Sequence, residues 1–464
     1  MHGLRLGIAQ DEVGRASWLY LPDAERSAHV YVIGSTGVGK SKAIATWTLG
    51  DLGDGHGFGV IDPHGDLIAD VMANAFAFSE IRLVEFGADT TVTLNPLERV
   101  PGVDVYAQTL ELVDVFRKVW ELSDAATPRL IEILRNAIWT LIESGATLLE
   151  LERLLVDDDF RRRATENVTH DGVRAFWRDR FDRWPARERT LNVESTLNKA
   201  SALTADPKLR RVLGAQRSTL DLREVMDRRQ ALLVDLSKGV LRTNTNLIGA
   251  LLLSRIQMTA TSRLTVPVAS RVPWTLYVDE FQNYATESFA EILAEARKMG
   301  LRLVLANQSL VQLPERLRSI VLGNARSLIV FRVDRIDAEL LARYVSDVTP
   351  GKVRHFDGQH FDYEPLNEQW ETHTAELATL PAREALLRTK GRSARRFETA
   401  DLHADAEQEA EKREFVRELG LRDGWLRRTR DVEIEIAARS ARRNDATPDS
   451  DEPSSYWDTP RGSD

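Results

Sequence analysis

Short, unbroken apolar runs alternate along the chain with longer stretches of helical spacing. Five runs are apolar, β-branched and followed by turn residues: His29 to Ile33, Gly57 to Ile61, Ala231 to Asp235, Thr275 to Asp279 and Arg302 to Ala306. A strand buried on both faces reads as such a run, and parallel strands are buried in this way. Ile81 to Phe86 and Ser327 to Phe331 carry the same pattern more weakly. Helical patterns follow the first and fourth runs, over Lys40 to Leu49 and Phe289 to Lys298. Strands alternating with helices predict an α/β sheet, mostly parallel and covered on both faces.

The middle of the chain differs. From about Val103 to Val225 the spacing is helical, with little strand signal. Thr127-Pro128 has the form of a helix start, and Leu130, Leu134, Ile138 and Leu141 then recur at helical spacing. Strand signals resume afterwards, so an all-helical insertion is expected. Past Leu402 the chain becomes charge-laced, with Glu409/Arg413 and Glu435/Arg439 four residues apart. The segment Arg443 to Asp464 is acidic and proline-bearing, and has the composition of a disordered tail. The expected division is 1–100 and 226–402 for the two parts of the α/β domain and 101–225 for the insertion. Residues 403–442 form a charged helical extension, and 443–464 the tail. No internal repeat is visible.

Composition narrows the class. With 464 residues, 43% hydrophobic and 29% charged, the chain can bury a full core in two or three lobes. No stretch approaches the roughly 18 apolar residues of a membrane-spanning helix. The run Leu247 to Leu253, for example, closes at Ser254-Arg255. The N-terminus lacks the pattern of a secretory signal. Zero cysteines exclude disulfides and thiolate metal sites and suit a reducing cytosol. A net charge of −9 argues against a basic wrapper of nucleic acid, while leaving room for a local basic patch. Only ten residues are lysine, so arginine carries most of the positive charge.

One of those lysines stands in the sharpest motif. Gly34-Ser35-Thr36-Gly37-Val38-Gly39-Lys40-Ser41 fits the G-x-x-x-x-G-K-[ST] phosphate loop, between an expected strand and an expected helix. The glycines let successive backbone N–H groups turn toward a phosphate, and the helix N-terminus adds partial positive charge. Lys40 would reach the β- and γ-phosphates, and the Ser41 hydroxyl would bind Mg2+. Lys42, directly after the motif, is included in the expected ATP-binding set.

A phosphate loop needs a second carboxylate site. Thr275-Leu-Tyr-Val-Asp279-Glu280 supplies it: an apolar strand ending in adjacent acids, which repel unless they face a cation. Asp279 is expected to hold Mg2+ through water, and Glu280 to polarise the attacking water. The two motifs together read as an ATPase, with ATP and Mg2+ as cofactors. They lie far apart in sequence, and the helical insertion accounts for the distance.

At this point the residues resemble a known family, the conjugative coupling proteins of type IV secretion (TraD/TrwB-like), within the HerA/FtsK superfamily of P-loop ATPases. The resemblance rests on Val60-Ile-Asp62-Pro-His64-Gly-Asp-Leu67, Leu94-Asn-Pro-Leu97, Thr127-Pro-Arg129 and Asn198-Lys199. Its strongest block runs from Val278-Asp-Glu-Phe-Gln-Asn-Tyr284 through Glu295-Ala-Arg297-Lys-Met-Gly300 to Ala306-Asn-Gln308 and Gln312-Leu313. Gly323-Asn324 and Phe331-Arg332 continue it. It covers about residues 28 to 345, with weaker similarity to about 400.

The resemblance implies a RecA-like P-loop NTPase domain interrupted by the all-α insertion, and a homohexameric ring that hydrolyses ATP and moves DNA through its channel. It implies that Arg297 is an arginine finger reaching the neighbouring subunit's γ-phosphate, and that Gln308 senses the γ-phosphate. Taken alone, Arg297 also fits an ordinary surface arginine at a helix end, and Gln308 a strand-end cap. Asp62 reads equally as part of the ATP site or as a turn-forming Asp-Pro. Arg326 and Arg332 are candidate secondary phosphate contacts. A relaxase, a secretion-channel ATPase or a nuclease are the partner classes implied.

Some features depart from the family. Membrane-bound coupling proteins carry transmembrane helices ahead of the phosphate loop, and here 33 residues precede Gly34. The chain is thus expected to be cytoplasmic, with any membrane attachment through a partner. The segment from Ser237 to Thr243 lacks a glycine usual near Arg242. Trp177 and Trp184, among Arg174, Arg178, Arg180 and Arg183, fit either a stacking surface for single strands or an amphipathic helix with aromatic anchors, and the second is favoured. Two other functions stand beside the DNA motor. One is a HerA-like motor paired with a nuclease or defence effector, and the other an ATP-gated recruitment module that pumps nothing.

Overall fold

The apolar runs become the parallel part of one large sheet. The structure, a computed structural model, describes residues 3–11, 13–77, 80–237, 241, 244–356 and 361–444. Most of the loop from Ser237 to Thr243, and the acidic tail from residue 445, lie outside the described residues. In chain order the first strands are β1 (Gly3–Gln10), β2 (Ala16–Pro22), β3 (Val30–Ile33), β4 (Gly57–Asp62), β5 (Ile81–Val84), β6 (Thr90–Thr91) and β7 (Ala231–Asp235). There follow β8 (Trp274–Val278), β9 (Leu301–Asn307), β10 (Ser327–Val330), β11 (Val353–Phe356), β12 (Phe361–Tyr363), β13 (Glu384–Thr389), β14 (Arg395–Glu398) and β15 (Arg427–Arg428).

Eleven of these form a single sheet in the order β2-β1-β14-β13-β10-β3-β9-β8-β4-β7-β5. From β10 to β5 every neighbouring pair is parallel. Residues of β3, β4 and β8 are buried throughout, which is why they read as unbroken apolar runs. The other edge is antiparallel: β13 pairs β10, and β14, β1 and β2 follow. The hydrophobic pattern does not mark these four strands. In β14, β1 and β2 exposed residues such as Arg5, Ile8 and Arg396 break up the buried positions, and in β13 the buried stretch Ala385–Leu387 is only three residues long between Glu384 and Arg388, so no long run forms.

Helices cover the sheet after the strands: Lys40–Gly53 follows β3, Asp66–Asn74 follows β4, and Glu287–Glu295 lies between β8 and β9. Between β6 and β7 every described element is helical, from Val105–Val119 to Leu222–Asp227. Pro128 does open a helix, Pro128–Glu143, burying Leu130, Leu134, Ile138 and Leu141. Thr127 does not cap it, because its hydroxyl donates to the Ser123 carbonyl at 2.9 Å. Trp177 is buried, and its indole N–H donates to Thr140 at 2.8 Å; Trp184 packs on Phe181. Arg174, Arg178, Arg180 and Arg183 each pair with a carboxylate. These aromatics are core anchors, as the amphipathic reading expects.

The charged extension returns to the body. Helix Ala406–Asp423 packs on Asp66–Asn74 and β5, where Arg413 pairs with Glu85, with Asp235 at 3.1 Å and with Glu409 at 2.6 Å. β15 pairs β6, and helix Thr429–Asn444 sets Val432 and Ile436 against Ala215 in the helical region. Among the described residues, no helix is long and apolar enough to cross a membrane.

Candidate active site

The phosphate loop, Gly34 to Ser41, joins β3 to helix Lys40–Gly53. Its glycines are required by geometry. Gly39 caps the helix at φ 99°, where a side chain is strained, and a Cβ on Gly34 would lie 2.5 Å from Phe331 Cβ. Ser35 N–H donates to the Arg332 carbonyl at 2.8 Å, pinning the loop to the end of β10. The loop wraps Lys40, whose ammonium donates to the carbonyls of Gly34 at 2.6 Å and Ser35 at 3.3 Å. Burial lowers the Lys40 pKa, while Asp279 and Glu280 oppose that shift. No acidic residue occupies the helix's first turn, so its N–H groups face the loop unopposed.

The carboxylates arrive from β8. Ser41 hydroxyl donates to Asp279 Oδ2 at 3.1 Å, so the two Mg2+-site candidates meet. Burial, then the Glu280 and Asp62 carboxylates, push Asp279 up to about 6, against the pull of Lys40 and the Ser41 hydrogen bond. A buried acid crowded by other acids fits a cation site. Mg2+ binds through one or two protein oxygens plus waters and phosphate oxygens, which a Ser–Asp pair beside a phosphate loop can satisfy.

Glu280 sits at φ 49°, turning its side chain back at the strand end. Its Oε1 accepts from the Gln308 amide at 2.7 Å, and its Oε2 from Gln282 at 2.6 Å. The Gln308 oxygen accepts the Thr36 hydroxyl at 2.8 Å. Thus Thr36, Lys40, Ser41, Asp279, Glu280 and Gln308 converge at the C-terminal ends of β3, β8 and β9.

Other candidates fall elsewhere. Both Asp62 oxygens accept backbone N–H groups, from His64 at 2.9 Å and Ile68 at 3.1 Å, the arrangement of a turn. Lys42 turns its ammonium to Asp70 at 2.6 Å and the Leu402 carbonyl at 3.2 Å. Arg297 lies exposed just before β9, at the opposite end of that strand from Gln308. Seven strand residues put roughly 20 Å between those ends, so Arg297 does not meet its own chain's site. Arg326 is likewise at the far end, before β10, whereas Arg332 is at the near end. Sequence reasoning missed Arg383, whose N–H donates to the Val38 carbonyl at 2.8 Å; it stands in no motif, and the contact is long-range.

Residues 273–384 match the family model described as the TraM recognition site of TraD and TraG. The chain resembles the conjugative coupling proteins. Unbound TrwBdeltaN70, a bacterial conjugative coupling protein, has a TM-score of 0.61 and 17% identity over 88% of this chain and 96% of that one. The plasmid coupling protein TrwB in complex with ADP and Mg2+ has a TM-score of 0.60 and 17% identity, covering 87% and 95%. VirB4 of Thermoanaerobacter pseudethanolicus has a TM-score of 0.53 and 14% identity, covering 86% and 96%. At these identities the likeness is one of fold, the RecA-like ATPase fold of coupling proteins. No curated protein matches the chain.

Proposed function

We propose that the protein is an ATP-driven DNA translocase of the coupling-protein kind, working as a homohexameric ring in conjugative or type IV secretion-like DNA transfer. The observation that carries the nucleotide part is the meeting of Ser41 with Asp279 and of Glu280 with Gln308 beside the phosphate loop. The loop N–H groups and Lys40 would hold the phosphates, and Ser41, with Asp279 through water, would hold Mg2+, which when bound offsets phosphate charge. Glu280 orients the attacking water and takes its proton, and Gln308 fixes the Glu280 carboxylate in place. Arg297, exposed at the far end of β9 from its own chain's site, is available to a neighbour's site.

The DNA part rests on the fold and on the matched region at 273–384, and that region is also our candidate for docking a protein partner of the DNA-processing machinery. Binding through the phosphate backbone makes association salt-sensitive and weakly sequence-dependent. The test is ATP turnover with and without single- and double-stranded DNA, in the wild type and in Lys40→Ala. Stimulation by DNA that Lys40→Ala abolishes supports a motor and names its strand. Turnover indifferent to DNA overturns the motor in favour of a recruitment ATPase. A nuclease that co-purifies with the protein favours the HerA-like pairing.

A further inference from the structure

The residues that converge on the phosphate loop lie on one of its flanks. β3, which feeds the loop, is bordered by β9 and then β8 on one side, and by β10 and then β13 on the other. Asp279, Glu280 and Gln308 come from the β8–β9 side. On the opposite side the turn ahead of β13 ends at Arg383, which lies against the loop itself.

Arg383 is held at both backbone groups. Its N–H donates to Val38 at 2.8 Å, and its carbonyl accepts from the Thr399 N–H at 2.9 Å and hydroxyl at 3.1 Å. Its φ is 70°, a left-handed conformation that costs a residue other than glycine about 1–2 kcal/mol. A Cβ on Gly39 would lie 3.3 Å from Arg383 Cγ, so the side-chain stem covers the point where the helix begins. The guanidinium donates to Glu398 at 2.6 Å and Asp401 at 3.1 Å, and its Nε is buried with no hydrogen-bond partner among the described residues. The segment bearing those acids reaches Leu402, whose carbonyl accepts from Lys42 at 3.2 Å. Residues 398–402 therefore cross the start of the helix from Gly39 to Lys42.

Glycine would serve this turn without strain and keep both backbone bonds. Two carboxylates beside a polyanion site are also unfavourable unless a cation stands between them. Both features make sense if the guanidinium has an anion to bind. Resting on the nucleotide-site reading above, we propose that Arg383 is a nucleotide-binding residue that contacts the α-phosphate side of the bound nucleotide, away from the γ-phosphate flank. Glu398 and Asp401 hold the guanidinium, and nucleotide binding exchanges one carboxylate oxygen for a phosphate oxygen.

An α-phosphate contact is common to ATP and ADP, which sets the test. Affinities for ATP and ADP with Mg2+ are measured by calorimetry for the wild type, Lys40→Ala, Arg383→Gly and Arg383→Lys. Arg383→Gly relieves the strained φ, so its melting temperature should equal or exceed that of the wild type. It should bind both nucleotides about tenfold more weakly, with KM raised and kcat within about threefold. Arg383→Lys should recover part of the loss, and Glu398→Gln should tighten both nucleotides. A stable Arg383→Gly that binds both nucleotides as the wild type does overturns the proposal, and so does a loss confined to ATP. If Arg383→Gly is instead less stable, the strain argument fails, and Arg383→Gln reads the affinity alone. Failure of the underlying reading looks different: either the wild type binds neither nucleotide, or Lys40→Ala binds both undiminished.

Discussion

Gln308 and Glu280 are joined by a 2.7 Å hydrogen bond, and the other end of the Gln308 amide holds the Thr36 hydroxyl of the phosphate loop. The amide thus links Glu280, the residue proposed to orient water, to the phosphate-loop motif. Removing it leaves the phosphate-binding groups in place and lets the carboxylate turn. Gln308→Ala should lower kcat about 10–100-fold while changing nucleotide affinity less than about threefold. Steady-state turnover beside calorimetric binding separates the two. Equal losses in both would make Gln308 a binding residue.

A second prediction concerns a fully buried ion pair. Arg26 and Asp51 meet beneath the sheet, and Tyr277 donates to Asp51 at 2.8 Å. Burial opposes both charges, yet Asp51 stays below its ordinary pKa because Arg26 and its hydrogen bonds outweigh desolvation. Arg26→Ala strands that carboxylate and should cost about 3–5 kcal/mol in denaturant unfolding. Arg26→Met with Asp51→Leu should cost far less.

His29 gives the protein a pH-dependent term. It is buried just before β3 with φ 65°, and its Nδ1 accepts the Leu303 N–H at 3.1 Å. Burial and, less strongly, the Arg297 charge push the imidazole down to about 4, partly offset by a hydrogen bond to the Leu293 backbone. An unfolded histidine binds its proton near pH 6.5. The unfolded state thus takes up more protons between about 6.5 and 4, and stability falls as pH drops through that window. His29→Asn tolerates the left-handed backbone and cannot titrate. It should flatten the loss between pH 7 and 4 by about 2–3 kcal/mol, read from melting at each pH.

Arg413 carries the fourth. It ties helix Ala406–Asp423 to Glu85 and Asp235. Arg413→Ala removes the ion pair of half-buried Asp235, while Glu85 keeps Arg417 at 2.8 Å, and should cost about 1–3 kcal/mol. Limited proteolysis should then cut near residues 403–405, where the wild type resists.

The parts of this molecule that were readable from sequence share a physical cause. Parallel strands buried on both faces appear as apolar runs, and a phosphate loop needs glycine and lysine at fixed spacing, so β3, β4, β7, β8 and β9 and the site at Lys40, Ser41, Asp279 and Glu280 stand out in a single chain. The antiparallel edge β13-β14-β1-β2 does not, because β14, β1 and β2 mix exposed residues among buried ones and β13 holds only three apolar residues between Glu384 and Arg388. The extension past residue 402 reads as a solvated surface helix, yet Arg413 is only 12% exposed on its side chain. Its partners, Glu85 and Asp235, are brought to it by the fold alone. Arg383 is hidden for the same reason: its contact with Val38 links distant parts of the chain, and nothing in its own neighbourhood announces it.

In the proposed ring, each site is completed by a neighbour. Lys40 and Arg297 lie at opposite ends of the sheet in one chain, so they can be tested by mixing. Lys40→Ala lacks a working loop and keeps Arg297; Arg297→Ala keeps its loop and lacks the finger. ATP turnover in the presence of DNA is measured for each variant alone and for mixtures at fixed total protein. Each variant alone should fall below about 1% of wild-type turnover, as loss of an arginine finger does, and mixtures should recover activity with a maximum at intermediate ratios. Full turnover by Arg297→Ala alone, or mixtures no more active than the sum of their parts, would contradict it.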